Sequence, residues 1–246
     1  GCAKPLPIQE SAMRRVYAGE SLAIHSETGS GKTLAYMLPL LARLKPWPPR
    51  QVLLVVPTYA LALQNLEVGR LLTGAGVDRM DGVSIGRMEI LEASRNTTKA
   101  LLDSDKALVI MTAGQFARLQ PAIEAEDGAL VGALRSTLQA IVIDEVDAVI
   151  APTGKGGMLN RARRSRSLAR APIARALRRL AARRVDEVAA RRLQLVVASA
   201  TLSRRALADL LFVVRRECGK VGLAVAGGGG GARSSGGGGG DGGGDA

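Results

Sequence analysis

The residues best suited to chemistry in this 246-residue chain form a glycine-rich loop, Ser-Glu-Thr-Gly-Ser-Gly-Lys-Thr, at residues 26–33. Gly29 and Gly31 allow the backbone to turn tightly and to aim N–H groups at phosphate oxygens. Lys32 is placed to reach the β- and γ-phosphates of a nucleotide, and the Thr33 hydroxyl is placed to bind magnesium. The loop therefore predicts phosphate binding, and a simple glycine-rich turn before a helix is the alternative.

A second group of reactive side chains, Asp-Glu-Val-Asp at residues 144–147, directly follows the apolar run Ala-Ile-Val-Ile. An acid at the end of a buried strand often accompanies a phosphate-binding loop, and there Asp144 would hold magnesium, often through water. Glu145 could orient and polarise the water molecule that attacks the phosphate. The candidate catalytic residues are therefore Lys32, Asp144 and Glu145. A solvated acidic turn is the alternative, and the loop upstream argues against it.

Recurring apolar runs predict the scaffold that must position these two groups. Strands are predicted at Ser21–His25, Gln51–Val56, Val83–Ile85, Ala107–Met111, Ala140–Ile143, Gln194–Ala198 and, more weakly patterned, Val221–Val225. The runs are continuous rather than alternating, which is typical of strands buried on both faces of a parallel sheet. Helices are predicted between them at Gln9–Ala18, Thr33–Leu44, Ala60–Leu72, Gly114–Leu119 and Arg204–Arg215. This alternation predicts an α/β fold, a mostly parallel sheet flanked by helices, with ligands at the carboxyl ends of the strands.

The composition argues against several other kinds of site. The only histidine is His25, and the two cysteines, Cys2 and Cys218, lie near opposite ends of the foldable part, so no zinc cluster, disulfide framework or Ser/His site is expected. No run of about 18 apolar residues occurs, so no membrane span is expected. The net charge of +12 favours a polyanionic partner, and nucleic acid suits it better than a membrane surface because no helix has a strongly apolar face.

The order of these motifs resembles the DEAD-box RNA helicase family. Asp-Glu-Val-Asp at residues 144–147 is a variant of the motif that names that family, and the loop has Ser26, a small residue, where the general phosphate-binding pattern has glycine. Pro7-Ile8-Gln9 is similar to the end of the family's Q motif, in which the glutamine contacts adenine. The resemblance implies a RecA-like P-loop NTPase domain that uses ATP and Mg²⁺. The implied ATP contacts are Gln9, Thr28, Gly29, Ser30, Gly31, Lys32 and Thr33, with Thr33 and Asp144 as the magnesium ligands.

Ser199-Ala200-Thr201 follows a predicted strand and resembles the family's motif III. The resemblance implies that Ser199 and Thr201 bond to Asp147 and couple ATP hydrolysis to domain closure. A cap for the helix that follows is the alternative, and both roles can hold together.

The motifs that contact RNA in the family are altered here. Pro-Thr-Tyr-Ala-Leu-Ala at residues 57–62 resembles motif Ia, and Thr-Ala-Gly-Gln at residues 112–115 resembles motif Ib. Tyr59 and Ala60 replace an Arg-Glu pair, and Gln115 replaces an arginine, which lowers the expected affinity for phosphates. The implied RNA contacts are Pro57, Thr58, Thr112 and Gly114.

The chain is predicted to contain one helicase ATP-binding domain at residues 1–226 and a disordered glycine-rich tail at residues 227–246. An Arg-rich segment at about 155–192 lies between motifs II and III, where the family has a shorter connection. Two interpretations of this segment stay open: an RNA-binding insertion and a solvated basic helix.

The resemblance implies an ATP-dependent RNA helicase present here as its first domain. Its RNA partner and a second RecA-like domain, missing from this chain, would be needed for full activity, so little ATP hydrolysis is expected from the chain alone. The alternative is a degenerate single-domain RNA-binding or regulatory protein without helicase activity. A third interpretation, a different P-loop ATPase, is disfavoured by motifs II and III. No membrane partner is expected, and an intracellular location is expected, with chloroplast, nucleolus and cytoplasm as candidates.

Overall fold

The computed structural model describes residues 4–44, 48–72, 88–91, 96–125, 128–150, 180, 193–201 and 222–225. In this part of the chain, seven strands, β1 to β7, lie at Leu22–His25, Val52–Val56, Met88–Ile90, Leu108–Thr112, Ala140–Ile143, Gln194–Ser199 and Gly222–Val225. Helices α1 to α7 lie at Pro7–Tyr17, Lys32–Leu41, Tyr59–Leu72, Thr97–Asp103, Ala113–Glu124, Gly128–Thr137 and Val146–Ile150.

The strands form one sheet in the order β3-β4-β2-β5-β6-β1-β7, and every neighbouring pair is parallel. In this order β6 lies between β1 and β5, and β2 lies on the other side of β5. The loops that leave the carboxyl ends of β1, β5 and β6 therefore meet at one edge of the sheet, as predicted for ligands of an α/β fold.

Apolar side chains from both faces of the sheet form two core clusters. One joins the sheet to α4, α5, α6 and α7 through residues such as Leu101, Phe116 and Leu134. The other joins it to α1, α2 and α3 through residues such as Val16 and Met37. The helices thus cover the sheet on both sides, which explains why the strand sequences are continuously apolar.

The predicted strands agree with the observed ones to within one or two residues, apart from the third. That prediction, Val83–Ile85, and the predicted helix Arg204–Arg215 lie outside the described residues. The observed β3 and the helices α4, α6 and α7 were not predicted, and α5 continues beyond the predicted end at Leu119 through Pro121. These elements have short or weakly periodic sequences, so only their packing against the sheet reveals them.

Most of the Arg-rich segment and all of the glycine-rich tail lie outside the described residues. Within the segment the structure describes Leu180, whose side chain is buried in the same core cluster as α5 and α6. No helix in the described part of the chain has the length and apolarity that a bilayer span requires.

Candidate functional site

The glycine-rich loop connects β1 to α2 and encloses the Lys32 side chain. Gly29 and Gly31 have φ angles of 79° and 86°, in the left-handed region that glycine adopts without a steric penalty. The buried ammonium group of Lys32 donates hydrogen bonds of 2.7 Å to the carbonyl oxygens of Ser26 and Glu27. The loop therefore curves around a single positive charge at the N-terminus of a helix, which is the arrangement that attracts phosphate.

The predicted adenine contact, Gln9, packs directly against this loop. Its Oε1 accepts from the backbone N–H of Leu6 at 2.9 Å, and its Nε2 donates to the carbonyl oxygen of Gly31 at 3.4 Å. A Cβ atom at Gly31 would lie 2.4 Å from Nε2 of Gln9. Glycine at position 31 therefore suits the left-handed backbone conformation, and a side chain there would displace the Gln9 amide.

Two more loop residues were predicted to contact ATP. The Ser30 hydroxyl is buried in the loop and has no hydrogen-bond partner among the described residues. The Thr28 side chain is exposed. An unpaired buried hydroxyl is costly unless a ligand or water completes it, so Ser30 fits a loop that receives phosphate oxygens.

The Asp144 carboxylate is buried and held at both oxygens. Oδ1 accepts from the backbone N–H of Glu145 at 3.1 Å, and Oδ2 accepts from the Tyr36 hydroxyl at 2.8 Å. Burial raises the pKa of Asp144, while these two hydrogen bonds and the positive charge of Lys32 oppose that rise. The structure therefore brings the predicted magnesium-holding carboxylate close to the charge of the phosphate-binding loop.

Tyr36 and Asn65 belong to the site and were not predicted from the sequence. Tyr36 is fully buried on α2, and its hydroxyl oxygen lies 2.7 Å from Oδ1 of Asn65 on α3. Burial, followed by the charge of Asp144, raises the pKa of Tyr36 well above 10.0. Helix α3 also contains Gln64, Glu67 and Arg70, so the sequence alone does not single out Asn65; its burial does, because a buried polar side chain requires a specific partner.

Glu145 has an unusual backbone conformation. Its φ angle is 47°, in the left-handed region, which costs on the order of 1–3 kcal/mol at a residue other than glycine. Partial burial and then the charge of Asp144 raise the pKa of the Glu145 side chain. A strained residue between β5 and α7, beside a buried carboxylate, is typical of a functional position rather than of a plain acidic turn.

Asp147 receives hydrogen bonds from two hydroxyls, those of Ser199 and Thr201. Burial would raise the pKa of Asp147, but these two hydrogen bonds and nearby backbone N–H groups outweigh it, so the pKa is lowered. The backbone N–H of Thr201 also donates to the Ser199 hydroxyl at 3.1 Å. The structure therefore joins the acidic motif to the segment after β6, in the contacts that the resemblance implied.

The same segment also contacts the start of the phosphate-binding loop. His25 pairs with Ser199 in the sheet, and the backbone N–H of Ser26 donates to the carbonyl oxygen of Ser199 at 3.4 Å. The His25 ring nitrogen Nε2 lies 3.2 Å from the carbonyl oxygen of Ala200. Residues 199–201 thus touch both the loop and the acidic motif and join them by hydrogen bonds.

The predicted RNA contacts lie at the carboxyl ends of the neighbouring strands β2 and β4. The Thr58 hydroxyl is exposed and accepts from the N–H of Leu61 at 3.3 Å, so it caps α3 next to the half-buried Pro57. Tyr59, which replaces the arginine of motif Ia, is 59 % exposed. This face therefore presents a hydroxyl and an aromatic ring where the family presents a guanidinium.

The residues that resemble motif Ib, 112–115, form the N-terminal cap of α5. The side chain of Gln115 accepts from the N–H of Thr112 at 2.8 Å, and the N–H of Gln115 donates to the Thr112 hydroxyl at 3.3 Å. The amide of Gln115 is buried and donates to the carbonyl oxygen of Leu91 at 2.7 Å, while Gly114 is exposed. Gln115 thus supports the loop from within, whereas Gly114 is exposed and Thr112 is half-buried.

A family model described as DEAD/DEAH box helicase matches residues 6–210. The chain is 30 % identical to the ATP-dependent RNA helicase DRS1 of Candida albicans over 152 residues, which are 60 % of this chain and 22 % of the relative. It is 34 % identical to the DEAD-box ATP-dependent RNA helicase 36 of Arabidopsis thaliana over 151 residues, 61 % of this chain and 28 % of the relative. The chain thus spans about a quarter of the length of these relatives.

Two solved structures share the fold. A DEAD box protein from Methanococcus jannaschii superimposes with a TM-score of 0.57 at 18 % identity, covering 91 % of this chain and 50 % of that one. The DEAD-box helicase Mss116 bound to ssRNA and UDP-BeF gives a TM-score of 0.60 at 19 % identity, covering 89 % of this chain and 39 % of that one. The motifs, their geometry and the match over residues 6–210 together identify the chain as a member of the DEAD/DEAH box helicase family.

Proposed function

We propose that this chain is the ATP-binding domain of an ATP-dependent RNA helicase. The observation that carries the proposal is the meeting of three motifs at one edge of the sheet: the loop around Lys32, the carboxylate of Asp144, and the pair of hydroxyls from Ser199 and Thr201 on Asp147. A site with these groups binds a nucleoside triphosphate and links its hydrolysis to a change of shape.

The residues at this site fit a magnesium ion. The Thr33 hydroxyl and the Asp144 carboxylate are hard oxygen donors of the kind that Mg²⁺ prefers. Residues 4–201, where described, contain no group of three or more metal-binding side chains, so water and nucleotide phosphates would complete the coordination shell. When bound, the ion would neutralise phosphate charge.

In the proposed reaction the protein mainly positions and stabilises charge. Lys32 and the backbone N–H groups of the loop hold the phosphates, and Gln9 holds the nucleotide base. Glu145 orients a water molecule in line with the terminal phosphate and accepts its proton, a role that the raised pKa of its side chain favours. Through its hydrogen bonds with Ser199 and Thr201, Asp147 couples ATP hydrolysis to domain closure.

RNA and a second RecA-like domain are the proposed partners. The relatives and solved chains that match are two or more times longer than the matched region, which supports a further domain in the working protein. The domain described here would occupy residues 1–226, with the glycine-rich tail following it. ATP would then bind between two domains, and this chain alone would hydrolyse it slowly, because charge-stabilising groups from the other domain are worth about 10³-fold or more in rate.

The Lys32→Ala variant tests the nucleotide site directly. We expect the affinity for magnesium–ATP to fall at least about tenfold, since a charge-assisted contact to phosphate contributes roughly 1.5–3 kcal/mol. Isothermal titration calorimetry or a fluorescent nucleotide measures this affinity without requiring turnover. Lys99→Ala, which removes an exposed lysine on α4, is the matched control. Equal affinities of the Lys32→Ala variant and the unmodified chain would remove the assignment.

A second candidate function is a single-domain RNA-binding or regulatory module. The observations that favour it are the loss of two arginines from the RNA motifs, at Tyr59 and Gln115, together with the net charge of +12. In this candidate the Arg-rich segment at about 155–192 holds RNA through phosphate contacts, independently of nucleotide.

A further inference from the structure

The Tyr36 hydroxyl lies beside the Asp144 carboxylate and contacts two acceptors, although it carries a single proton. Its oxygen is 2.8 Å from Oδ2 of Asp144 and 2.7 Å from Oδ1 of Asn65. The Thr33 side chain also forms a hydrogen bond with it. A tyrosine hydroxyl carries one proton, so it donates to Asp144 or to Asn65 at any moment.

Asn65 is fixed in the orientation that makes it the second acceptor. Its Nδ2 donates to the carbonyl oxygen of Leu61 at 2.9 Å, one turn earlier in α3, and its side chain also forms a hydrogen bond with Asp144, which leaves Oδ1 directed at Tyr36. Both side chains are buried, Tyr36 completely and Asn65 to within 2 % of its surface, so water does not compete for these contacts. The Tyr36 hydroxyl thus has two buried acceptors within hydrogen-bond distance for its one proton.

We propose that Tyr36 and Asn65 are positioning residues for the metal-holding carboxylate, acting as a two-state hydrogen-bond donor. Without a cation, the Tyr36 hydroxyl donates to Asp144 and holds the buried carboxylate in place. With a cation on that carboxylate, the hydroxyl rotates to donate to Asn65. The inference rests on the proposed function, because it concerns the same magnesium site.

A donor fixed on Asp144 would compete with a cation for the carboxylate, and the second acceptor, Asn65, removes this competition. A hydrogen bond to a carboxylate oxygen withdraws electron density from it and competes with a cation for the same lone pairs. Because Asn65 offers an equally close acceptor, Tyr36 can release Asp144 without leaving a buried hydroxyl unpaired, which would cost a full desolvation penalty. In this proposal the buried Asn65 of α3 is the second acceptor for the Tyr36 proton.

The Tyr36→Phe variant of the 246-residue chain removes the donor and keeps the ring. We expect the affinity for a fluorescent ADP in the presence of magnesium to rise about two- to tenfold, because the donor that competes with the cation for Asp144 is gone. Affinity for the same nucleotide in EDTA should stay unchanged. Mn²⁺ in place of Mg²⁺ allows the bound metal to be counted by electron paramagnetic resonance. Tyr17→Phe, which removes an exposed hydroxyl on α1, is the matched control.

The Asn65→Leu variant separates the two-state pair from a simple anchor. It should weaken magnesium-dependent binding on its own, because Tyr36 then keeps donating to Asp144, and the loss should be smaller in the Tyr36→Phe background, where that donor is absent. An equal loss from Asn65→Leu in both backgrounds, or a Tyr36→Phe variant whose magnesium-dependent affinity is unchanged or lower, would overturn the inference. If the unmodified chain itself shows no magnesium dependence, the proposed function fails with it, and an Asp144→Asn variant identical to the unmodified chain would confirm that failure.

Discussion

At the scale of single residues, the buried position of Asp144 lowers the stability of the folded domain. Its carboxylate lies in a buried position beside Tyr36, where burial raises the pKa and disfavours the charged form that magnesium requires. The hydrogen bonds from Tyr36 and from the backbone N–H of Glu145 offset part of this cost. Such a residue serves function at the expense of stability, a common relation at active sites.

The Asp144→Asn substitution should therefore stabilise the domain. The new amide can donate to the Tyr36 oxygen, Tyr36 can donate to Asn65, and the remaining oxygen can accept from Glu145. We expect a gain on the order of 1 kcal/mol in the free energy of unfolding near neutral pH. Urea denaturation measures it, and Asp103→Asn, at an exposed aspartate on α4, is the control.

The gain from Asp144→Asn should depend on pH with a definite sign. A carboxyl with a raised pKa binds more protons in the folded than in the unfolded chain, so its folded state loses stability as pH rises above 3.8, the ordinary value, through the folded pKa. The advantage of the variant should thus grow between about pH 4 and neutrality. A gain that is constant over this range, or a loss at neutral pH, would contradict the account.

At the scale of elements, the loops at the two ends of this sheet edge form different kinds of hydrogen bonds. The loop after β1, the acidic motif after β5 and the segment after β6 are joined by hydrogen bonds into one unit. The polar groups of the loops after β2 and β4 instead form hydrogen bonds that cap helices. Thr58 caps the start of α3, and the Thr112–Gln115 pair caps the start of α5. The altered RNA motifs therefore stabilise the N-terminal ends of α3 and α5.

Removal of the Thr112 hydroxyl should destabilise the fold. Thr112→Ala deletes the cap of α5 and leaves the N–H of Gln115 without its acceptor, and the expected loss is about 1 kcal/mol in the free energy of unfolding. Thr137→Ala is a matched control, because that hydroxyl donates to a carbonyl within α6 and caps no N–H group. Equal stabilities of the two variants would show that the cap contributes nothing, and urea denaturation decides between the outcomes.

At the scale of the whole molecule, the two candidate functions predict opposite responses of RNA binding to nucleotide. A helicase domain should bind RNA more tightly with magnesium–ATP than without it, because ATP binding and RNA binding are coupled in that function. An electrostatic module should ignore nucleotide and lose affinity steeply with salt, by about 0.7 in log K per log salt unit for each phosphate contacted in single strands.

Fluorescence anisotropy with a short single-stranded RNA, repeated over a salt series with and without magnesium–ATP, separates these responses. We expect an effect of nucleotide that the Lys32→Ala variant abolishes. A steep salt slope with no effect of nucleotide would transfer the proposal to the RNA-binding module. The net charge of +12 predicts some salt dependence in either case, so the response to nucleotide carries the decision.

The sequence alone determined the order of the motifs and the class of the fold. The loop at residues 26–33, the acids at 144–147 and the buried strands are local patterns, because glycine spacing and continuous apolar runs constrain the backbone wherever they occur. Helices such as α4 and α6 escaped prediction since their sequences are short, and their stability comes from packing on the sheet.

Only the tertiary structure decided which side chains meet. Tyr36 and Asn65 lie on different helices, and nothing in the spacing along the chain places both on Asp144. Gln115 could have been an exposed substitute for arginine, but the approach of Leu91 made it a buried support. Contacts between distant segments depend on strand order and on how helices pack, and these follow from the burial of the whole core rather than from any local pattern.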